Sequence, residues 1–212
     1  MDFLPEAIST YSEQHTSDDS SLLHQITRET NLNVLKPRML SGHLQGRVLS
    51  MISHMIAPKN ILEIGTYTGY SALCMAEGLT NDGQLITIER NEELASKIQH
   101  YFNQSAYTSK LHLKIGDARE IIPSLHQTWD LIFIDADKAS YQTYFNLTID
   151  HVRSGGFILI DNVLWSGKVA ETDKNDKATL SMRAFNDTMH KDQRVENVLL
   201  PIRDGIMILR KL

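Results

Sequence analysis

Residues 60–71, NILEIGTYTGYS, run from an apolar stretch through Glu63, Gly65 and Gly69 into a segment that reads as helix from Tyr70. A short apolar run closed by glycine reads as a buried strand, and glycine lets the chain turn tightly and approach a ligand closely. The pattern returns in QLITIE (84–89), LHLKIG (111–116), DLIFID (130–135) and FILIDN (157–162). Between these runs lie helical segments over 70–79, 92–102, 118–125 and 141–152. Strands alternating with helices of that length predict βαβ units and an α/β, doubly wound, mostly parallel sheet. Near-continuous apolarity in the strands fits burial on both faces.

The flanking segments complete this reading. The tail NVLLPIRDGIMILRKL (197–212) reads as two strands joined around residues 203–205, which brings the count to seven and places an antiparallel strand at one edge. A helix is expected over 180–189. The polar segment GKVAETDKNDK (167–177) is either a solvated loop or a rim beside the site. Upstream, residues 5–55 read as helical, with Leu40, Leu44, Val48, Met51, Ile52 and Met55 as one apolar stripe ended by Pro58. Residues 1–57 are therefore expected to pack on the core or on a partner, and 58–212 to form the core, one domain overall.

Composition narrows the class. Hydrophobic residues at 42% and charged residues at 22% are ordinary for a globular protein. A net charge of -5 gives no basic surplus to meet phosphates, so neither nucleic acid nor a membrane surface is an expected partner. The single cysteine, Cys74, cannot form an internal disulfide, and MDFLPEAIST lacks the features of a signal peptide. A cytoplasmic location follows as the expectation.

Each strand-like run ends at or near an acid: Glu63, Glu89, Asp117, Asp135 and Asp161. In an open parallel sheet all carboxyl ends face one edge, where ligands bind. Helix capping explains any one of these acids, but five together with a glycine turn predict a shared ligand site. Glu89 stands 20 residues past Gly69, where an acid accepts hydrogen bonds from ribose hydroxyls, and Asp117 follows the third run beside the expected adenine position. The spacing G-x-x-x-G differs from the dinucleotide fingerprint.

Asp135 and the pair Asp161–Asn162 follow the fourth and fifth runs. Two carboxylates and an amide carbonyl form an all-oxygen set suited to Mg2+, with Mn2+ or Ca2+ as alternatives. A capping aspartate and an Asp-Asn turn are the competing reading.

Three stretches, LEIGTYTGYS, IDADKASY and IDNVLWSG, resemble the motifs of the caffeoyl-CoA and catechol O-methyltransferase family. The resemblance runs from about Met39 to the end. It implies a Rossmann-like class I methyltransferase fold, dependence on S-adenosylmethionine and a divalent metal, and a homodimer. By the same resemblance the methyl donor falls to Ser41, Glu63, Gly65, Thr66, Ser71, Glu89, Asp117, Ala118, Asp135 and Asp137. Asp135, Asp161 and Asn162 fall on the metal ligands, and Lys138 on the lysine that acts as general base.

The chemistry agrees with the resemblance. A methyl sulfonium is already activated and needs alignment with a nucleophilic oxygen. Chelation of a vicinal diol by a cation stabilises the phenolate and fixes its direction. Trp165 is either an aromatic wall for a flat substrate or a core residue. Tyr141 and Arg183 are within the candidates for substrate contact but are assigned no role, and Asp204 is expected to be a turn residue. The acidic N-terminal segment STYSEQHTSDDSSLL offers no basic set for a coenzyme A ester, so a catechol-type small molecule is the expected substrate. A nicotinamide-dependent oxidoreductase and a non-catalytic nucleoside-binding module remain the rivals.

Overall fold

The computed structural model describes residues 5–212. Three helices come first: α1 (Glu6–Gln14), α2 (Ser21–Asn33) and α3 (His43–Ile56). The alternating part then runs β1 (Asn60–Ile64), α4 (Tyr70–Ala76), β2 (Gln84–Glu89), α5 (Ala95–Gln104), β3 (Leu111–Ile115), α6 (Ala118–Ile121), β4 (Trp129–Ile134), α7 (Tyr141–Thr148) and β5 (Val152–Asp161). It closes with α8 (Lys177–Lys191), β6 (Val195–Leu200) and β7 (Ile206–Lys211).

These strands form one sheet in the order β3-β2-β1-β4-β5-β7-β6. The first five are parallel, and β7 runs antiparallel to both β5 and β6. The terminal hairpin therefore supplies the mixed edge that the tail predicted, with β7 inserted inside β6. Order reverses between β1 and β4, so their carboxyl ends open a crevice at the switch point.

Alternation along the strands sends apolar side chains to both faces. Leu62, Ile64, Ile132 and Ile134 join the layer of α7 and α8. Ile61, Leu85, Leu131 and Phe133 join the layer of α4 and α5, to which α2 and α3 add Leu23, Ile26 and Leu49. The N-terminal helices thus share the core of the sheet. Among the described residues no helix is long and apolar enough to cross a membrane.

The upstream stretch is helical, as expected, but α3 corrects the sequence reading by burying the other face. Its inward residues are Gln45, Gly46, Leu49, Ser50 and Ser53, whereas Met51 is 62% exposed and Met55 73%. The cause is close approach to α4. A Cβ at Gly46 would lie 2.6 Å from the Tyr70 ring, and one at Gly78 would lie 2.3 Å from the Ser53 carbonyl carbon. Ser53 Oγ donates to the Met75 carbonyl at 2.6 Å. Small polar residues let the two helices touch, so apolar periodicity marks the wrong face here.

Candidate active site

A cavity of about 1270 Å³ opens at the carboxyl ends of β1 to β5. Residues 33–41, between α2 and α3, form one side of it, and the β6–β7 turn reaches it through Arg203 and Asp204. Tyr67 Oη donates to the Leu35 carbonyl at 3.1 Å, tying that connector to the loop after β1.

The glycine turn is dictated by crowding. Gly65 has φ +100°, and a Cβ there would meet the Asp135 carbonyl oxygen at 2.0 Å. Gly69 caps α4 at φ +86°. Backbone strain is concentrated around the cavity. Seven non-glycine residues in the described chain have positive φ, and six of them line it: Lys36, Tyr67, Asn162, Trp165, Ser166 and Arg203. Strained conformations persist where the surroundings over-determine them, typically at functional sites.

On the nucleoside side, Glu89 accepts the Tyr67 N–H at 2.7 Å and the Asn91 N–H at 2.8 Å. Those bonds fix its carboxylate and leave lone pairs for hydroxyl donors. Asp117 caps α6 through the Arg119 N–H and is paired with the Arg119 guanidinium, which holds its carboxyl well below the usual range. Capping and lining the cavity therefore coincide at Asp117. Ala118, Thr66, Ser71 and the buried Ser41 also lie on the wall. Asp137 lies there too, accepting the Tyr144 hydroxyl.

Glu63 stands behind this wall rather than on it. It is fully buried, with Ser71 donating to one carboxylate oxygen at 2.6 Å and Thr87 to the other at 2.5 Å. Burial pushes its carboxyl up to about 8, opposed by those two hydroxyls. Its link to the cavity runs through Ser71.

The acids after β4 and β5 converge. Asp161 is 3% exposed; its carboxylate accepts Gln45 Nε2 at 2.7 Å and the Asn162 N–H at 2.7 Å. Burial, then the Asp135 charge, raises its carboxyl to about 7. Lys138 Nζ donates to Asp135 Oδ1 at 2.9 Å and lies 5.2 Å from the Tyr141 ring centroid. Among the described residues no three His, Cys, Asp or Glu side chains gather into a metal cage. Two aspartates and the Asn162 amide still make a hard-oxygen set whose crowded negative charge favours a cation. These residues fit a divalent ion.

Several residues fall outside the expected roles. Tyr141 is buried and donates to the Asp161 carbonyl at 3.0 Å, so it braces the strand end. Arg183 does not line the cavity; it donates to the carbonyls of Lys168, Val169 and Glu171 and ties down the segment after Trp165. Trp165 is both wall and core: it lines the cavity and packs on the buried cluster. Its indole N–H is buried and meets no acceptor among the described residues. Asp204 is a turn residue, as expected, and also accepts the Ser166 N–H and reaches the cavity. Gln45, Tyr67 and Arg203 were invisible to sequence reasoning, since each acts on a partner far along the chain.

A family model described as O-methyltransferase matches residues 13–212. The chain belongs to this O-methyltransferase family. It is an S-adenosylmethionine-dependent enzyme of that class. A probable caffeoyl-CoA O-methyltransferase of Dictyostelium discoideum is 31% identical, over 97% of this chain and 92% of its own. A catechol O-methyltransferase of Niastella koreensis is 35% identical, over 74% and 72%. Among solved structures, the SAH-bound Podospora anserina methyltransferase PaMTH1 superposes with a TM-score of 0.90 at 27% identity, covering 100% of this chain and 99% of its own. An O-methyltransferase from Bacillus cereus in complex with SAH gives 0.87 at 26%, covering 97% of each.

Proposed function

We propose that this enzyme moves the methyl group of S-adenosylmethionine to one hydroxyl of a catechol-type small molecule, and that it needs a divalent cation, Mg2+ first among candidates. The supporting observation is the convergence of Asp135, Asp161 and Asn162 beside Lys138 where the cavity meets the ends of β4 and β5. Asp135, Asp161 and Asn162 would hold the ion. When bound, such an ion stabilises a phenolate and fixes its orientation.

The chain's own groups supply the rest. Glu89, already fixed by two backbone N–H groups, accepts the ribose hydroxyls. The turn from Gly65 to Ser71 approaches the donor with backbone, and Ser41, Asp117, Ala118 and Asp137 line its berth, with Glu63 holding Ser71 from behind. Lys138, with its amine in the neutral form, would receive the proton that leaves the acceptor hydroxyl. Trp165 presents a flat face to an aromatic ring. Holding donor and acceptor in line supplies much of the acceleration, because the sulfonium is already reactive.

We also propose a cytoplasmic homodimer joined through the apolar residues that α3 turns outward, Met51 and Met55. A coenzyme A ester remains the second substrate reading. It is favoured by Lys36 and Arg38 at the cavity, basic residues that the acidic N-terminal sequence did not suggest.

The test is turnover of a catechol panel with labelled donor, with and without chelator, products read by mass and regiochemistry. Chelator-sensitive transfer to vicinal diols is the expected result. Undiminished transfer in chelator, or transfer confined to acceptors lacking a vicinal diol, would refute the reading.

A further inference from the structure

Five arginines, Arg47, Arg119, Arg153, Arg194 and Arg210, each meet a carboxylate. Arg28, Arg38, Arg90, Arg183 and Arg203 meet none among the described residues; of these, Arg38 and Arg203 border both the main cavity and a smaller one of about 390 Å³ beside it. A chain of net charge -5 has acids to spare, so two such guanidinium groups at the neck between two cavities call for an explanation.

Arg203 is also held in place. Its backbone sits at φ +50°, a conformation that favours glycine, so this side chain is kept there against a local cost. Nη1 donates to the Leu40 carbonyl at 2.7 Å. The guanidinium lies over Gly42, where a Cβ would come within 3.2 Å of Nη1. One of its five N–H donors is thus used for anchoring, and the planar fork remains for a ligand. The neighbouring Asp204 is engaged by the Ser166 N–H.

We infer that Arg203, with Arg38 beside it, is a specificity residue that binds a carboxylate carried by the phenolic acceptor, so that the preferred substrate is an acidic catechol rather than a neutral one. The inference rests on the O-methyltransfer reading above. S-adenosylmethionine carries a carboxylate of its own, so a loss shared equally by both acceptors in Arg203→Gly would assign the guanidinium to the donor instead. Asp204, next in the chain to Arg203, accepts the Ser166 N–H beside Trp165, which puts the β6–β7 turn next to the wall proposed for the acceptor ring. A planar bidentate fork suits a carboxylate.

The matched pair 3,4-dihydroxybenzoate and its methyl ester tests this, with wild type, Arg203→Gly and Arg203→Lys. Glycine suits φ +50°, so the fold should survive, and an unchanged or raised Tm checks that. In wild type the acid should be preferred, with a KM that rises with ionic strength. Arg203→Gly should cost the acid roughly 10- to 100-fold in kcat/KM, mostly in KM, and the ester under about twofold. Arg203→Lys should restore part of the loss. An acid-to-ester ratio unchanged in Arg203→Gly would overturn the inference while leaving methyl transfer intact. Failure of every catechol to accept the methyl group would overturn both.

Discussion

Asp161 and Gln45 carry the most chemistry per atom. Asp161 is buried beside a second carboxylate, and Gln45 reaches it from a helix 116 positions upstream. Asp161→Ala should abolish metal-dependent turnover, a loss of at least about a hundredfold, while calorimetry finds donor affinity within several-fold of wild type. Loss of donor binding with metal retained would contradict its role. Gln45→Leu should weaken the metal by about 10- to 100-fold, because it frees the carboxylate it orients. A metal titration of that variant identical to wild type would make Gln45 merely structural. Glu63 yields a pH test. Its folded carboxyl holds a proton to about 8, whereas the unfolded chain releases it near 4.5. The folded state therefore binds more protons between those values, and stability falls as pH rises through them. Glu63→Gln should remove that fall: its stability relative to wild type rises from pH 4.5 to 8 and levels off above. Denaturant melts at several pH values check this, and a flat difference would mean that Glu63 ionises normally. The acids and glycines were legible at this scale because strand ends and turns announce themselves locally. Gln45, Tyr67 and Arg203 were not, since their partners are assembled only by the fold.

Among the elements, the strands were read easily and α3 was not. Apolar runs of β length have one use in a doubly wound sheet, burial on both faces. The face a helix buries depends on how closely its neighbour comes. Where α3 meets α4 the backbones nearly touch, and glycine and serine replace the large apolar residues that a helical stripe would demand. Gly78→Ala should therefore cost roughly 1–3 kcal/mol or more, because its Cβ collides with backbone rather than with a movable side chain. A Tm within a degree of wild type would show that the helices can separate freely.

At the scale of the whole molecule, the N-terminal helices do two things at once. Their inner side completes the core on the α4–α5 face, and the connector from Asn33 to Ser41 walls the cavity. Their outer side exposes the large apolar side chains of Met51 and Met55. Light scattering should find a dimer that Met51→Glu dissociates, with Tm little changed at low concentration; a wild-type monomer at micromolar concentration would refute the dimer. The active site needs chain segments from residue 33 to residue 204, which is why motifs outlined it and only the fold closed it. The most direct measurement is anomalous scattering from a crystal grown with Mn2+ and S-adenosylhomocysteine. A peak at about 2.0–2.6 Å from oxygens of Asp135, Asp161 and Asn162 is the expected result. A donor-filled cavity with Lys138 still on Asp135 and no peak between those three side chains would contradict it.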